Sequence, residues 1–444
     1  MALNLLTVND KRGEYPSSYY AATASELARL PALDEKLSVD VCIVGAGYTG
    51  LSAALHLAKA GRRVVVVEAH RVGWGASGRN GGQLGTGQRR DQDELEAIMG
   101  KSAAHEMWTL AEEAKALVTS LITQHQIDCD YRAGIIHADH KRSYVKESEQ
   151  YAEFLQNEYN YSDISFLDKS AVRDLVGSED YHGGTLDLGA GHLHPLKYAF
   201  GLAKAALDAG VQIFENSFVT DVKNGEKPVV KTATGDVRCD TVLFACNGYL
   251  GNLGGKATAP CRSRVMPINN FIIVSEPLDD DFADSVLKND YAVADSRFVV
   301  NYYRMVRDAP DQPKRLLFGG GENYGYKFPK DIKAFVKKPM VKVYPQMMSR
   351  KIDDGWGGTL AITVPRMPAF QRLTPQMYAA SGYSGHGVGM ATMGGKMLAD
   401  VVLGDSERFD LFQKVPKMGF PGNSLLRWPL LAAAMTYYAI RDRL

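Results

Sequence analysis

The sequence predicts a mixed protein that is α/β in one domain and α+β in the other. Three observations predict this architecture. A complete strand–turn–helix–strand unit spans residues 39–68, strand-like segments without intervening helices follow between residues 256 and 349, and 444 residues exceed one ordinary core. The first pattern is typical of a parallel sheet and the second of an antiparallel sheet. We therefore expect two domains, each built around its own sheet.

Bulk composition indicates a globular protein with no polyanionic partner. Hydrophobic residues make up 45% and charged residues 23% of the chain, and the formal net charge is zero, so nothing favours binding to nucleic acid. No apolar run reaches the ~18 residues of a membrane span, and no secretory signal pattern is predicted at the N-terminus. The five cysteines form no C-x-x-C pair, which favours buried reduced thiols in a cytoplasmic protein.

The strand–turn–helix–strand unit carries a G-x-G-x-x-G pattern. The strand Val41–Val44 is followed by glycines at 45, 47 and 50 and then by a helix. A second strand, Val64–Val67, comes next, and Glu68 follows it directly. The three glycines permit a tight turn, close approach to a pyrophosphate and close helix packing. Glu68 follows Gly45 by 23 residues, near the ~20 expected for an acid that binds a ribose. A Rossmann-like dinucleotide site is predicted, without the 2′-phosphate of NADP; the alternative is a glycine turn in another α/β unit.

Residues 72–83 form a loop of small side chains after Glu68. Six of the twelve are Gly or Ala, so the backbone can approach a flat or polyanionic ligand, with Arg79, Asn80 and Gln83 as donors. The alternative is a flexible surface loop. Further along, Val219 lies in a predicted strand at 211–222 and could contact an adenine through its backbone.

A second glycine-rich turn, residues 382–389, precedes a predicted helix at 390–402. One dinucleotide has one pyrophosphate, so a second helix N-terminus requires a second anionic target. The pyrimidine end of a flavin becomes negative on reduction and is such a target. The turn therefore favours FAD over NAD and adds four candidate cofactor contacts, Gly385, His386, Gly387 and Val388. The alternative is a simple helix-capping loop.

The remaining segments complete the predicted organisation. Helices are predicted at 91–125, 144–159 and 196–209, and strands at 128–138, 241–246, 265–268, 271–274, 298–304 and 316–319. Predicted domains are an N-terminal extension at 1–37, a discontinuous cofactor domain at 38–95, 150–255 and 350–444, and a substrate domain at 96–149 and 256–349. His192 and His194 lack metal-site spacing, so no metal is predicted. The apolar segment 425–444 is expected to pack on the core or form a lid.

These motifs resemble the D-amino-acid-oxidase-like FAD-dependent oxidoreductases, the glycine and sarcosine oxidase group, over residues 38–405. Residues 75–83 and 383–387, the extension at 16–22 and the tail at 420–444 are most similar to the gamma-glutamylputrescine oxidase branch. The resemblance implies a Rossmann-like FAD-binding domain beside an antiparallel-sheet substrate domain. The FAD contacts that it implies are Gly45, Gly47, Thr49, Gly50, Glu68, Ser77, Asn80, Gly81, Gly82, Val219, Gly248, His386 and Gly387.

Two departures from the group bear on chemistry. Some relatives attach flavin through a cysteine late in the chain, but no cysteine follows Cys261, so non-covalent FAD is expected. Sarcosine oxidases have a lysine where Gly389 stands, which weakens the transfer of sarcosine specificity.

The resemblance implies oxidation of the C–N bond of a small-molecule amine, with oxygen or another electron acceptor. The cofactor carries this chemistry, so no specific catalytic side chain is predicted. Arg304 could pair with a carboxylate on a gamma-glutamyl group, or be a surface strand arginine; each tyrosine is interpreted more readily as a core residue than as a pocket residue. The substrate-pocket candidates are Tyr249, Met266, Tyr302, Tyr303, Arg304 and Trp356.

Three alternative functions remain open at the level of sequence. A relative in the same group could act on sarcosine, pipecolate or an aromatic amine. A NAD-dependent dehydrogenase would share the first glycine motif but leave the second unexplained. A nucleotide-binding protein without turnover would share both motifs and lack a substrate cavity.

Overall fold

The computed structural model describes residues 4–25, 27–253 and 256–421. Numbered along the chain, the helices are α1 (Tyr19–Thr23), α2 (Tyr48–Lys59), α3 (Gln92–Met99), α4 (Lys101–Gln124), α5 (Arg142–Tyr159), α6 (Lys169–Leu175), α7 (Pro195–Asp208), α8 (Asp280–Val286), α9 (Ile332–Val343), α10 (Gly387–Leu403) and α11 (Glu407–Leu411). The strands are β1 (Lys36–Ser38), β2 (Val41–Val44), β3 (Val64–Val67), β4 (Gln83–Leu84), β5 (Arg132–Ala138), β6 (Ile164–Leu167), β7 (Gly184–His192), β8 (Gln212–Phe214), β9 (Asp221–Lys223), β10 (Val229–Lys231), β11 (Asp236–Arg238), β12 (Thr241–Phe244), β13 (Met266–Ser275), β14 (Ala292–Asp295), β15 (Tyr302–Val306), β16 (Arg315–Asn323), β17 (Ile352–Ile362), β18 (Ala369–Thr374) and β19 (Met377–Ser381).

The N-terminal glycine motif lies at the centre of a parallel sheet. Within the described residues this sheet has six strands, ordered β18-β19-β12-β2-β3-β8, and β18 is its antiparallel edge. Every residue of β2 and β3 is buried, as expected for parallel strands covered on both faces. Helix α2 packs against α10 and α7. The predicted Rossmann-like domain is confirmed.

A second, larger sheet contains the strands of the predicted substrate domain. In the described ranges it has nine strands, ordered β17-β13-β16-β15-β14-β5-β7-β4, with β6 also paired to β7. Its pairs are antiparallel except β14 with β5. The strands predicted at 265–268 and 271–274 form the single strand β13, in which Asn269 and Asn270 stay paired to β16 and β17. Two polar residues interrupt the apolar pattern, and the pairing with β16 shifts register between Asn270 and Ile272, but the strand continues. The antiparallel domain is confirmed.

Strand pairing departs from the predicted domain boundaries. Strands β6 and β7 lie within 150–255 and β17 within 350–444, both assigned to the cofactor domain, yet all three join the larger sheet. Helix α4 lies within 96–149, assigned to the substrate domain, yet it packs on α10 in the core beside the parallel sheet. The chain therefore crosses between the two sheets more often than motif spacing indicates.

Several predicted elements have different limits in the structure. The helix predicted at 91–125 is two helices, α3 and α4, because Gly100 between them has φ +82°. The strand predicted at 211–222 is two short strands, β8 and β9, in different sheets. The strand predicted at 298–304 begins only at Tyr302. The prediction for 425–444 lies outside the described residues.

The N-terminal extension packs into the cofactor domain. Tyr20 is fully buried and meets the ring of Trp356 at a centroid distance of 5.0 Å. Asp10 forms an ion pair with Arg79 at 2.9 Å, and β1 pairs with β11 at the edge of a small sheet. The extension therefore contacts the loop at 72–83 through the ion pair of Asp10 with Arg79.

Candidate functional site

A cavity of about 1510 Å³ is lined by residues of both large sheets and of both glycine-rich turns. Pockets for one small ligand are commonly ~300–1,000 Å³, so this cavity has room for a large ligand together with a small one. The two turns are separated by more than 330 residues in the sequence. Folding brings them onto one cavity, as the sequence predicted.

The first turn brings bare backbone to the cavity. Gly45 has φ +108°, and a Cβ there would lie 2.8 Å from the carbonyl oxygen of Ala245. A Cβ at Gly47 would lie 2.8 Å from Ser77 Oγ. Gly47 is the N-cap of α2 and makes no side-chain capping bond, while Tyr48 N donates to Ser77 Oγ at 3.0 Å. A helix N-terminus exposed in this way is suited to an anion such as a pyrophosphate.

Glu68 lies at the end of β3 beside this turn. Its Oε2 accepts from Ala46 N at 2.8 Å and its Oε1 from His70 N at 2.9 Å. Burial raises the pKa of Glu68, and the nearby Glu215 adds to that rise against the backbone hydrogen bonds. Each oxygen accepts one backbone N–H and keeps acceptor capacity for a ribose hydroxyl.

Side chains of the loop at 72–83 fix its conformation through hydrogen bonds. Arg79 donates to Asp10 at 2.9 Å and to the carbonyl of Gly357 at 3.1 Å, and its guanidinium lies 4.4 Å from the Trp74 ring centroid. Asn80 donates to the carbonyl of Ser77 at 3.0 Å and accepts from Gly82 N at 2.7 Å. These bonds present a fixed backbone to the cavity instead of a free surface loop.

The second turn opens α10 onto the same cavity. His386 is the N-cap of α10 and makes no side-chain capping bond, and Tyr383 OH and Thr49 Oγ1 are 2.7 Å apart, which joins this turn to α2. Burial lowers the pKa of His386 to about 4, and the positive charge of Arg89 contributes. The imidazole is therefore neutral at pH 7. Two helix N-termini, from α2 and α10, face one cavity.

Most predicted cofactor contacts line the cavity, and three do not. Those that line it are Gly45, Gly47, Thr49, Glu68, Ser77, Arg79, Asn80, Gly81, Gln83, Val219, Gly385, His386, Gly387 and Val388. Gly50, Gly82 and Gly248 instead pack against backbone. A Cβ on them would lie 1.9 Å from the oxygen of Gly45, 2.0 Å from that of Leu193 and 3.2 Å from that of Leu360, respectively.

Two of the six substrate-pocket candidates line the cavity. Tyr249 lies at the cofactor end, with its ring centroid 5.6 Å from that of Trp74. Tyr302 on β15 lies with its ring against Gly81 of the glycine-rich loop, where a Cβ would come within 2.7 Å of it, and donates its hydroxyl to Asn270 Oδ1.

The other four candidates are buried away from the cavity. Met266 packs with Ile268 and Ile362. Tyr303 lies on the face of β15 opposite Tyr302 and stacks on Phe318 at 5.3 Å, because successive strand residues face opposite sides. Trp356 donates Nε1 to the carbonyl of Arg79 at 3.1 Å.

Arg304 was predicted to bind a carboxylate of the substrate, but it does not line the cavity. It is 4% exposed, so it is not a surface arginine either. It donates to the carbonyls of Gly81 at 3.1 Å and Leu193 at 3.0 Å. The side chain lies on the same face as Tyr302 but two residues further along β15, beneath the glycine loop.

Most cavity-lining residues outside the two glycine-rich turns were not predicted from the sequence. Asn270 on β13 and Glu322 on β16 are register partners, and Glu322 accepts from Tyr324 OH at 2.8 Å. Arg89 and Arg366 also line this part of the cavity. The one available signal was the basic pair at 89–90 directly after the glycine-rich loop. No group of three or more His, Cys, Asp or Glu that could hold a metal occurs among the described residues.

The donor set fits a dinucleotide cofactor that carries a second electron-rich group. Glycine positions where a Cβ would collide, a ribose acceptor at Glu68 and a second helix N-terminus at Gly387 are the features such a molecule requires. The fold and site therefore define a FAD-binding oxidoreductase.

Comparison with known proteins identifies the family. A family profile described as "FAD dependent oxidoreductase" (DAO) matches residues 40–401. The gamma-glutamylputrescine oxidoreductase of Escherichia coli is 41% identical over 97% of this chain and 99% of its own. A probable oxidoreductase, OrdL, of Rhizobium meliloti is 39% identical over 96% of this chain and 97% of its own. The chain belongs to the DAO family of FAD-dependent oxidoreductases.

Solved structures show the same fold. Glycine oxidase from Geobacillus kaustophilus superimposes with a TM-score of 0.71 at 20% identity, covering 86% of this chain and 99% of that chain. The cofactor is FAD, and the protein is a FAD-dependent amine oxidoreductase. In the part of the chain described, no helix is long and apolar enough to cross a membrane.

Proposed function

We propose that this protein oxidises the terminal C–N bond of a gamma-glutamyl polyamine, with gamma-glutamylputrescine as the first candidate. The observation that carries the proposal is the wall formed by Tyr302, Asn270 and Glu322, which lines the same cavity as two helix N-termini. The substrate class is supported by the 41% identity to a gamma-glutamylputrescine oxidoreductase over nearly the whole chain. We further propose that FAD is held non-covalently by the cavity-lining residues of the two turns.

The reaction removes two electrons and two protons from the amine. The α-carbon loses a C–H bond, the nitrogen loses a proton, and the imine that forms is hydrolysed to an aldehyde and ammonia. When bound, FAD supplies the two-electron oxidant, and molecular oxygen or another acceptor regenerates it. The residues of this chain must therefore bind the amine and orient its α-carbon, while the proton of the substrate ammonium is released to solvent.

The wall residues suit these tasks. Burial raises the pKa of Glu322, although the Tyr324 hydrogen bond and the charges of Arg366 and Arg89 oppose the rise. Because Glu322 stands beside these two arginines, in this proposal it binds the α-ammonium of the gamma-glutamyl group, at the end of the substrate remote from the oxidised nitrogen. Tyr302 and Asn270 are fixed to each other by a hydrogen bond, so they form a rigid surface against which the methylene chain can be positioned.

Anaerobic reduction of the bound flavin tests the proposal. Purified holoenzyme is mixed without oxygen with gamma-glutamylputrescine, putrescine, sarcosine, pipecolate or an aromatic amine, and bleaching of the flavin absorbance is followed. Gamma-glutamylputrescine should bleach the flavin at the lowest concentration, and aldehyde and ammonia should appear in equal amounts. Repeating the turnover with oxygen or with an artificial dye identifies the acceptor.

Each other outcome selects a different function. Bleaching only by sarcosine or pipecolate would replace the proposal with an amino-acid or secondary-amine oxidase. A yellow protein that no amine bleaches would be a nucleotide-binding protein without this turnover.

A further inference from the structure

Five residues lining the cavity within the described ranges are arginines, and they fall into two groups. Three are paired with carboxylates: Arg79 with Asp10 at 2.9 Å, Arg90 with Glu94 at 3.1 Å, and Arg297 with Asp180 and Asp295. The other two, Arg89 and Arg366, form no ion pair with any described residue. Arg89 is exposed and Arg366 is half-buried, so both guanidinium groups are available to a ligand in the cavity.

Both side chains extend from turns that are fixed to each other. Arg89 Nε donates to the carbonyl of Ser384 at 3.2 Å, which leaves its two terminal nitrogens without a hydrogen bond in the described part of the chain. Ser384 Oγ accepts from Thr363 N at 3.3 Å, and Arg366 N closes that turn on the carbonyl of Thr363 at 3.2 Å. The backbone positions of Arg89 and Arg366 are therefore set by the same pair of turns that holds α10.

The backbone at Arg366 is unfavourable for an arginine. Its φ is +61°, in the left-handed region that glycine and asparagine adopt more readily than long side chains. Its guanidinium makes no hydrogen bond with any described residue that would compensate. Such outliers are enriched at binding and catalytic sites, although they also occur at helix ends such as Asn160.

The electrostatics of the pair are also incomplete. Burial lowers the pKa of Arg366 below its usual value, and the positive charge of Arg89 lowers it further, while Glu322 raises it. Two cations thus share the influence of one carboxylate. A second carboxylate placed between them would balance the charge and accept the donors that Arg89 and Arg366 leave unused.

We infer that Arg89 and Arg366 together bind a carboxylate carried by the amine substrate. This inference rests on the proposed function, because it assigns the end of the substrate remote from the oxidised nitrogen. It places the carboxylate against the turns at 363–366 and 382–386, beside Glu322. Arg304, the arginine that sequence alone suggested, does not line the cavity, because its guanidinium donates to the carbonyls of Gly81 and Leu193.

A matched pair of substrates isolates the carboxylate. N-glutarylputrescine carries a carboxylate, and its terminal carboxamide has the same shape without the charge. For the unmodified enzyme, kcat/KM should be at least tenfold higher for the acid. In Arg366→Gly that preference should fall about tenfold, equivalent to about 1.4 kcal/mol, through a higher KM. Arg366→Lys should retain part of the preference.

Two further measurements distinguish binding from damage to the fold. Glycine relieves the φ of +61° at position 366, so Arg366→Gly should keep its FAD and its unfolding temperature. Asn160→Gly is the matched control, because Asn160 also has positive φ (+51°) but ends α5 at the surface. It should change neither stability nor substrate preference.

Binding without turnover separates this inference from the proposed function. Glutarate and its diamide, glutaramide, are titrated into the holoenzyme and followed by calorimetry and by the flavin spectrum. Glutarate should bind tighter than glutaramide, and Arg366→Gly should remove the difference. If glutarate binds both proteins equally, the inference is overturned even if gamma-glutamylputrescine is oxidised. If no amine is oxidised but the glutarate preference depends on Arg366, the proposed function fails and the carboxylate site stands.

Discussion

The two sides of the cavity are built by different means. The cofactor side consists mainly of backbone: Gly45 and Gly47 before α2, Gly385 before α10, and Gly387 as the first residue of α10. The side that we propose binds the substrate consists of side chains from adjacent strands, such as Asn270, Glu322 and Tyr302. A backbone that approaches a cofactor closely requires glycine at fixed spacing, so a sequence motif can identify the cofactor side. The substrate side depends on register between distant strands, which no local pattern records.

The largest expected effect comes from adding one methyl group on the cofactor side. In Gly50→Ala the new Cβ would lie 1.9 Å from the carbonyl oxygen of Gly45, and backbone cannot rotate away from it. Alanine favours a helix by about 1 kcal/mol over glycine, so any loss must come from this contact. We expect destabilisation of about 3 kcal/mol or more and a colourless protein, measured by denaturant unfolding and by the flavin absorbance per mole.

Gly225→Ala is the control for that substitution. A Cβ at Gly225 meets nothing within 4 Å, so FAD content and stability should stay close to those of the unmodified protein. Full FAD content in Gly50→Ala would show that the close packing of helix and turn is not required for the cofactor site.

Arg304→Ala should damage the fold without changing substrate affinity. The substitution leaves two buried carbonyls, of Gly81 and Leu193, without their donor. The expected cost is about 2–3 kcal/mol, with an unchanged KM for gamma-glutamylputrescine in the FAD-loaded fraction. Arg132→Ala, at a half-exposed arginine of β5, should cost less than about 0.5 kcal/mol. If Arg304→Ala raised the KM for gamma-glutamylputrescine without loss of stability, Arg304 would be a substrate-binding residue after all.

The same distinction explains what the sequence could predict. The parallel sheet, the roles of Gly45, Gly47 and Glu68 and the convergence of the two turns all follow from short motifs with a defined geometry. Arg366 could not be identified, because its position depends on a left-handed turn in a segment without glycine. Tyr302 and Tyr303 are adjacent and chemically alike, and only the facing of β15 decides which one reaches the cavity.

The second turn also predicts a pH dependence on the cofactor side. Burial holds the pKa of His386 at about 4 in the folded protein, against ~6.5 when unfolded. The unfolded chain therefore binds the proton first as the pH falls. Stability from neutral His386 is complete above pH 6.5 and is lost progressively down to about pH 4, by about 2 kcal/mol between pH 7 and pH 5.

His386→Gln should reduce that dependence. Glutamine does not titrate, so the decrease in unfolding free energy between pH 7 and pH 5 should be smaller by about 2 kcal/mol than in the unmodified protein. Denaturant unfolding of FAD-saturated protein at the two pH values provides the comparison. Equal decreases in both proteins would mean that His386 is not the group that binds the proton.

The smallest effect is expected on the substrate side, where one hydroxyl is removed. Tyr302→Phe loses the hydrogen bond to Asn270 Oδ1, worth about 1 kcal/mol, so kcat/KM should fall about fivefold while FAD content is unchanged. Tyr303→Phe is the matched control, because its hydroxyl lies 3.0 Å from that of Tyr181 on the opposite face of β15. It should lower stability and leave kcat/KM alone. If Tyr302→Phe released FAD, the substrate wall and the cofactor turns would not be separable units, and the two sides of the cavity would have to be treated as one.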